Sequence, residues 1–160
     1  MPVSPDAYRL NTFMQRILDT TVTVFNDFGV SLPTKQYWTT GTAVIDCEQV
    51  VASLVQMYLG RPGDQADEPQ RLMVPRTAVV TLAIARKVPT VGQNGRPPDA
   101  DKIQQYASAV AVDAWILVDS VTQFDQWDAN FGVGVIATVD IADPEGGLQV
   151  VNMNLTMAVP

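Results

Sequence analysis

The sequence predicts an α+β domain: a mainly antiparallel four-stranded sheet with two helices packed on it, in the order α-β-β-α-β-β. Three observations lead there. Two segments, starting near Pro5 and Asp99, repeat apolar residues at helical spacing. The last thirty residues alternate apolar and polar positions on both sides of a Pro-Glu-Gly-Gly turn. The length, 160 residues, suits one hydrophobic core rather than two.

The first helix is expected from about Pro5 to Phe28. Ser4 can cap it, Pro5 suits the first helical position, and Asp6 favours the positive end of the helix dipole. Leu10, Phe13, Met14, Ile17, Leu18, Val24, Phe25 and Phe28 recur on one face, and Gly29 suits the left-handed stop. Thr20 to Thr23 weaken the helix toward its end.

Residues 29–43 read as a loop, rich in Ser31, Pro33, Thr34, Thr39, Thr40 and Gly41. Tyr37 and Trp38 inside it either anchor the loop to the core or serve an interface. In residues 47–59 the apolar positions Cys47, Val50, Val51, Leu54, Val55, Tyr58 and Leu59 also obey a helical period. Their β-branched and aromatic content and the following Gly60-Arg61-Pro62-Gly63 turn favour a strand. Ala78 to Lys87 alternates as a strand, so the two form a hairpin across a long loop with acidic Asp64, Asp67 and Glu68.

After a loop over residues 89–98, a second helix is expected from Asp99, burying Ile103, Tyr106, Ala107, Val110, Ala114, Leu117, Val118 and Val121. Trp115 and Ile116 fall outside that stripe and suggest a further contact surface. Val133, Val135, Ala137, Val139 and Ile141 then alternate into a turn at 143–147. Val151, Met153, Leu155, Met157 and Val159 alternate on the return, with Asn152, Asn154 and Thr156 on a wet face.

The residues point away from catalysis. With no histidine, the commonest general base and zinc ligand is missing, and Ser–His–Asp and Cys–His sites cannot be built. The single cysteine, Cys47, allows no internal disulfide, suits a reducing cytoplasm, and is expected as a buried small apolar residue. Gly132-Val133-Gly134 and Gly146-Gly147 lack the rest of a phosphate-binding motif. Carboxylates alone suffice for some hydrolases, but here they read as solvated loop charges. No enzyme, cofactor or metal site is predicted.

Seventeen acidic against ten basic residues give a net charge of −7, which disfavours a nucleic-acid reader and suits a surface that DNA passes without sticking. No apolar run approaches the roughly 20 residues of a membrane span, and the N-terminus has no secretory pattern. Asp46 and Glu48, in the compact polar group Asp46-Cys47-Glu48-Gln49 next to an apolar run, read as solvated residues at a strand entry, or else as intersubunit contacts.

Several segments together carry a family likeness: Tyr37-Trp38-Thr39-Thr40-Gly41, Asp46-Cys47-Glu48-Gln49, Tyr58-Leu59-Gly60, Pro75-Arg76-Thr77-Ala78, Ala85-Arg86-Lys87-Val88-Pro89, Gly95-Arg96-Pro97-Pro98 and Val112-Asp113-Ala114. Over about residues 30–120 the chain resembles the tail terminators and head-to-tail connectors, the neck proteins, of siphophages infecting actinobacteria. The resemblance implies an α/β subunit of a hexameric ring in the virion, at the head–tail junction, made in the host cytoplasm. Its partners would be copies of itself, the tail tube protein, a head-completion or stopper protein, and passing genomic DNA, with no membrane. It brings no catalytic residues. A ring needs two different complementary surfaces per subunit. The candidates are Tyr37, Trp38, Asp46, Glu48, Arg61, Asp64, Arg76 and Trp115. Another neck component, an adaptor or stopper, or a small non-enzymatic binding domain are the alternatives.

Overall fold

The structure, a computed structural model, describes residues 5–64, 76–88, 98–125 and 135–159, with backbone only at 5–8 and 125. Its elements are α1 (Pro5–Phe28), β1 (Lys35–Thr40), β2 (Gln49–Leu59), β3 (Arg76–Lys87), α2 (Ala100–Asp125), β4 (Ile136–Ile141) and β5 (Leu148–Ala158). The expected α+β class holds, with five strands in place of four. The sheet runs β1-β2-β3-β5-β4, and it is mixed because β1 lies parallel to β2 while the other pairs are antiparallel. Both helices pack on the same face, α1 over β1 and β2, α2 over β3, β4 and β5.

The extra strand corrects the loop reading of residues 29–43. Pro33, Thr34 and Gly41 do punctuate the segment, but Tyr37, Trp38, Thr39 and Thr40 between them are strand formers, and an existing edge is there to pair with. Parallel neighbours usually need a helical crossover of a dozen residues or more. Here residues 41–48 suffice. Retracing six strand residues takes about 20 Å, and eight extended residues reach about 27 Å. Gly41 makes the reversal with φ 73°, which a side chain would strain, and its N–H donates to Leu54 O at 2.9 Å.

The helix-facing rows of the sheet are Val50 and Ala52 on β2, Ala78, Val80, Leu82 and Ile84 on β3, and Val151, Met153, Leu155 and Met157 on β5. Against them α1 packs Phe13, Met14, Ile17, Leu18, Val24 and Phe25, as its period predicts, whereas Phe28 at its end, expected on the same face, is exposed. Val51, Gln49 and Ser53 on the opposite face of β2 are also buried. Burial of both faces produces the unbroken apolar run that mimics a helical period in the sequence. The register shifts between Leu54 and Gln56, so Val55 is a bulge residue.

In α2 the buried face is rotated from the expected one. Val110, Asp113, Ile116, Leu117, Ser120 and Phe124 are buried, whereas Ile103, Ala107 and Val118 are exposed. Ile116, expected outside, is fully enclosed. The buried polar positions explain the misreading: Asp113 finds an ionic partner and Ser120 Oγ donates to Ile116 O at 2.8 Å, so polar residues occupy inner positions. Trp115 is exposed as expected. The C-terminal hairpin is present as β4 and β5, with Val151, Met153, Leu155 and Met157 inward. Residues 65–75, 89–97 and 126–134, including Asp67, Glu68 and the Gly132-Val133-Gly134 segment, lie outside the described residues.

Candidate functional site

Arg86 ends the helix-facing row of β3 and reaches into the helix layer. Its Nε donates to Asp113 Oδ2 at 2.5 Å and its Nη2 to Asp113 Oδ1 at 2.9 Å, a two-pronged pair. Nη2 also donates to Ser31 O at 2.8 Å, and the guanidinium lies 6.0 Å from the Phe25 ring centroid. One side chain therefore ties α1, the α1–β1 connection and α2 to the sheet. The hydrogen bonds to Asp113 raise the Arg86 pKa further, keeping it charged. Tyr106 stands beside this pair. Burial pushes its phenol up, the Asp113 charge adds to the shift, and its hydroxyl has no hydrogen-bond partner.

Sequence reasoning did not find this pair, although the signal was present. Arg86 continues the inward alternation of 78, 80, 82 and 84. Asp113 sits three residues after Val110 and four before Leu117, inside the apolar period.

Most expected site residues are engaged within the chain. Trp38 packs half-buried against the core beneath α1. Tyr37 faces the other side, where its hydroxyl donates to Val44 O at 3.4 Å and accepts from Gln49 Nε2 at 3.1 Å. Gln49 Nε2 also donates to Val44 O at 3.1 Å, so the two side chains pin the 41–48 crossover over the helix-free face. Both aromatics are anchors. Asp46 Oδ1 accepts from Lys35 Nζ at 3.1 Å; that bond holds the Asp46 carboxyl below its ordinary range and raises Lys35. Glu48 Oε1 accepts from the Lys87 backbone N–H at 3.0 Å. Asp64 Oδ2 accepts from the Arg61 N–H at 2.8 Å, closing the turn after β2. Cys47, expected buried, is half-buried. Only the side chains of Arg61, Arg76 and Trp115 remain outward with no ion pair among the described residues.

The residues that stand out at the surface are apolar and lie at the two sides of the sheet. β1 pairs only with Gln49 to Leu54, so Val55 to Leu59 extend past it with β3 on one side and, among the described residues, no strand on the other. Val55, Met57 and Leu59 are all exposed there. At the opposite side β4 is paired, among the described residues, only with β5, and Ile136 and Ile141 are exposed. An exposed stripe along α2 runs through Ile103, Ala107, Ala111 and Val118, with Trp115 beside it at 61% exposure. The lower half of that stripe borders a groove of about 390 Å³, lined by Ile103, Tyr106, Val110, Ile141, Pro144 and Gln149 among others.

The described residues hold no cluster of three metal-ligating side chains, and no described helix is long and apolar enough to cross a membrane. No protein-family model matches the chain, and no curated protein matches it.

Proposed function

We propose that the chain is a non-enzymatic structural subunit that forms a ring at the head–tail junction of a phage virion, ending the tail tube and joining tail to head. The observation that carries this reading is the pair of unlike sides. One bears the Val55, Met57 and Leu59 overhang; the other bears the β4 edge and the apolar flank of α2. Closed rings are built from head-to-tail contacts, which require two different complementary surfaces on each subunit. The resemblance of residues 30–120 to siphophage neck proteins supplies the virion setting and the expected six subunits. The balance of helix and strand favours a terminator over an adaptor or stopper. The net charge of −7 suits a wall past which DNA slides.

The test is negative-stain imaging of particles made without the gene product. Overlong tails, or unjoined heads and tails, are the expected result; normal virions would sink the reading. The apolar groove beside Tyr106 favours one competing reading, a small-ligand binding domain. That reading requires a protein that stays monomeric at high concentration and binds an apolar ligand there.

A further inference from the structure

We infer that copies of this chain join by strand pairing, the outer edge of β4 in one copy running antiparallel along the β2 overhang, residues 55–59, of the next. The inference deepens the ring reading and rests on it. Four features of the subunit support it.

Strand direction comes first. β2 is parallel to β1 and antiparallel to β3; β5 opposes β3, and β4 opposes β5. β4 therefore runs opposite to β2, at the other side of the sheet. β4 lies level with residues 50–56 of β2, most of which β1 covers, so a second copy with its helices on the same face must also be raised along the strands by about the length of the overhang; β4 then meets residues 55–59 in the antiparallel sense. No rotation of one sheet over the other is needed.

Length is the second feature. The overhang is five residues, Val55 to Leu59, and β4 is six, Ile136 to Ile141. Unpaired edges of that length expose a row of backbone donors and acceptors that another strand can satisfy.

Apolar matching is the third. Met57 pairs with inward Ala78, so Met57 and Leu59 lie on the helix side of the overhang, yet both stay exposed. On β4 the helix-side row is Ala137, Val139 and Ile141, and the helix packed over β4 is α2, whose exposed flank carries Val118 and Trp115. Joining the edges slides Met57 and Leu59 under that flank, and both apolar rows become covered.

Charge is the fourth. Gly63 approaches Ile136, so β4 begins at the end of the sheet where β2 finishes. α2 runs toward that end, because Ile103 and Tyr106 in its first turns lie by Ile141 and Pro144 at the other. Its C-terminus, the negative pole of the helix dipole, has no basic residue in the last turn. Antiparallel pairing sets this pole of one copy against the Leu59 end of the next, where Arg61 and Arg76 carry no ion pair among the described residues.

The experiment uses directed cross-linking of the full chain in a Cys47→Ala background. A Met57→Cys chain is mixed with chains carrying Ala137→Cys, Val139→Cys or Ile141→Cys and mildly oxidised. The expected result is a disulfide-linked heterodimer with at least one of the three, several-fold above either homodimer. Assemblies that form, by sedimentation, with no such cross-link would overturn the edge pairing and leave the ring standing. A Met57–Met57 dimer as main product would overturn it too, since the contact would then be symmetric. A chain that stays monomeric even when mixed with tail tubes would overturn both. As a second variant, Met57→Lys with Leu59→Lys should weaken self-association at least tenfold at unchanged circular dichroism; unaltered association counts against the overhang.

Discussion

Arg86 Nε lies 2.5 Å from Asp113 Oδ2, joining the end of a central strand to the middle of a helix across a mainly apolar layer. Their side chains are 15% and 1% exposed. Removing either partner leaves a charge with little water to replace it. Asp113→Ala should lower unfolding free energy by about 3–5 kcal/mol, whereas Arg86→Met with Asp113→Leu should recover most of that loss. Urea denaturation of the three proteins checks this; a single variant within about 1 kcal/mol of wild type would refute the buried-pair account.

Tyr106 gives the alkaline side of the stability profile. Its phenol is raised above the ordinary value of 10, first by burial and then by the Asp113 charge. A raised folded-state pKa contributes stability that is complete below the unfolded value and is lost as pH rises through the folded one. Unfolding should therefore ease from about pH 10 upward. Tyr106→Phe should flatten that decline and, by removing an unpartnered hydroxyl, leave stability at pH 7 equal or higher. Thermal melts between pH 8 and 11 on both proteins measure it.

The crossover at 41–48 depends on two side chains. Tyr37→Phe removes the hydroxyl that accepts from Gln49 and donates to Val44 O, and should cost about 1 kcal/mol. Gln49 is fully buried and its Nε2 donates to both the Tyr37 hydroxyl and Val44 O, so Gln49→Leu removes two hydrogen bonds and should cost more. Amide exchange at Lys35 to Thr40 should quicken in both variants while β3 stays protected.

Trp115 separates folding from assembly. At 61% exposure, Trp115→Ser should change stability by less than about 0.5 kcal/mol. In the ring reading the same variant weakens self-association. An unchanged sedimentation profile would remove Trp115 from the interface.

How much of this was legible in the sequence follows from what each residue answers to. α1 and the C-terminal hairpin were legible because each has one wet face, so Phe13, Met14 and Ile17, or Met153, Leu155 and Met157, show their period directly. β1 was not, because a short edge strand borrows its stability from a partner found elsewhere in the chain. The rotation of α2 was hidden because Asp113 and Ser120 are polar yet buried, and only the facing Arg86 explains the first. Among the interface candidates, Tyr37, Asp46 and Glu48 have the composition of contact residues, but their partners lie within the same chain. The β2 overhang left no local mark at all: it exists because β1 stops at Thr40, opposite Leu54.

The parallel edge strand also divides the sheet into parts of unequal permanence. β2, β3, β5 and β4 form an antiparallel set that keeps its ladder whether or not β1 is present. β1 is held by one ladder, by Trp38 beneath α1, and by the crossover that Tyr37 and Gln49 pin down. Peeling it away with residues 41–48 would bare the whole of β2, all eleven residues, to whatever strand arrives next. The chain thus carries a removable guard over its own edge, and the five residues left unguarded are the toehold from which a displacing strand would begin.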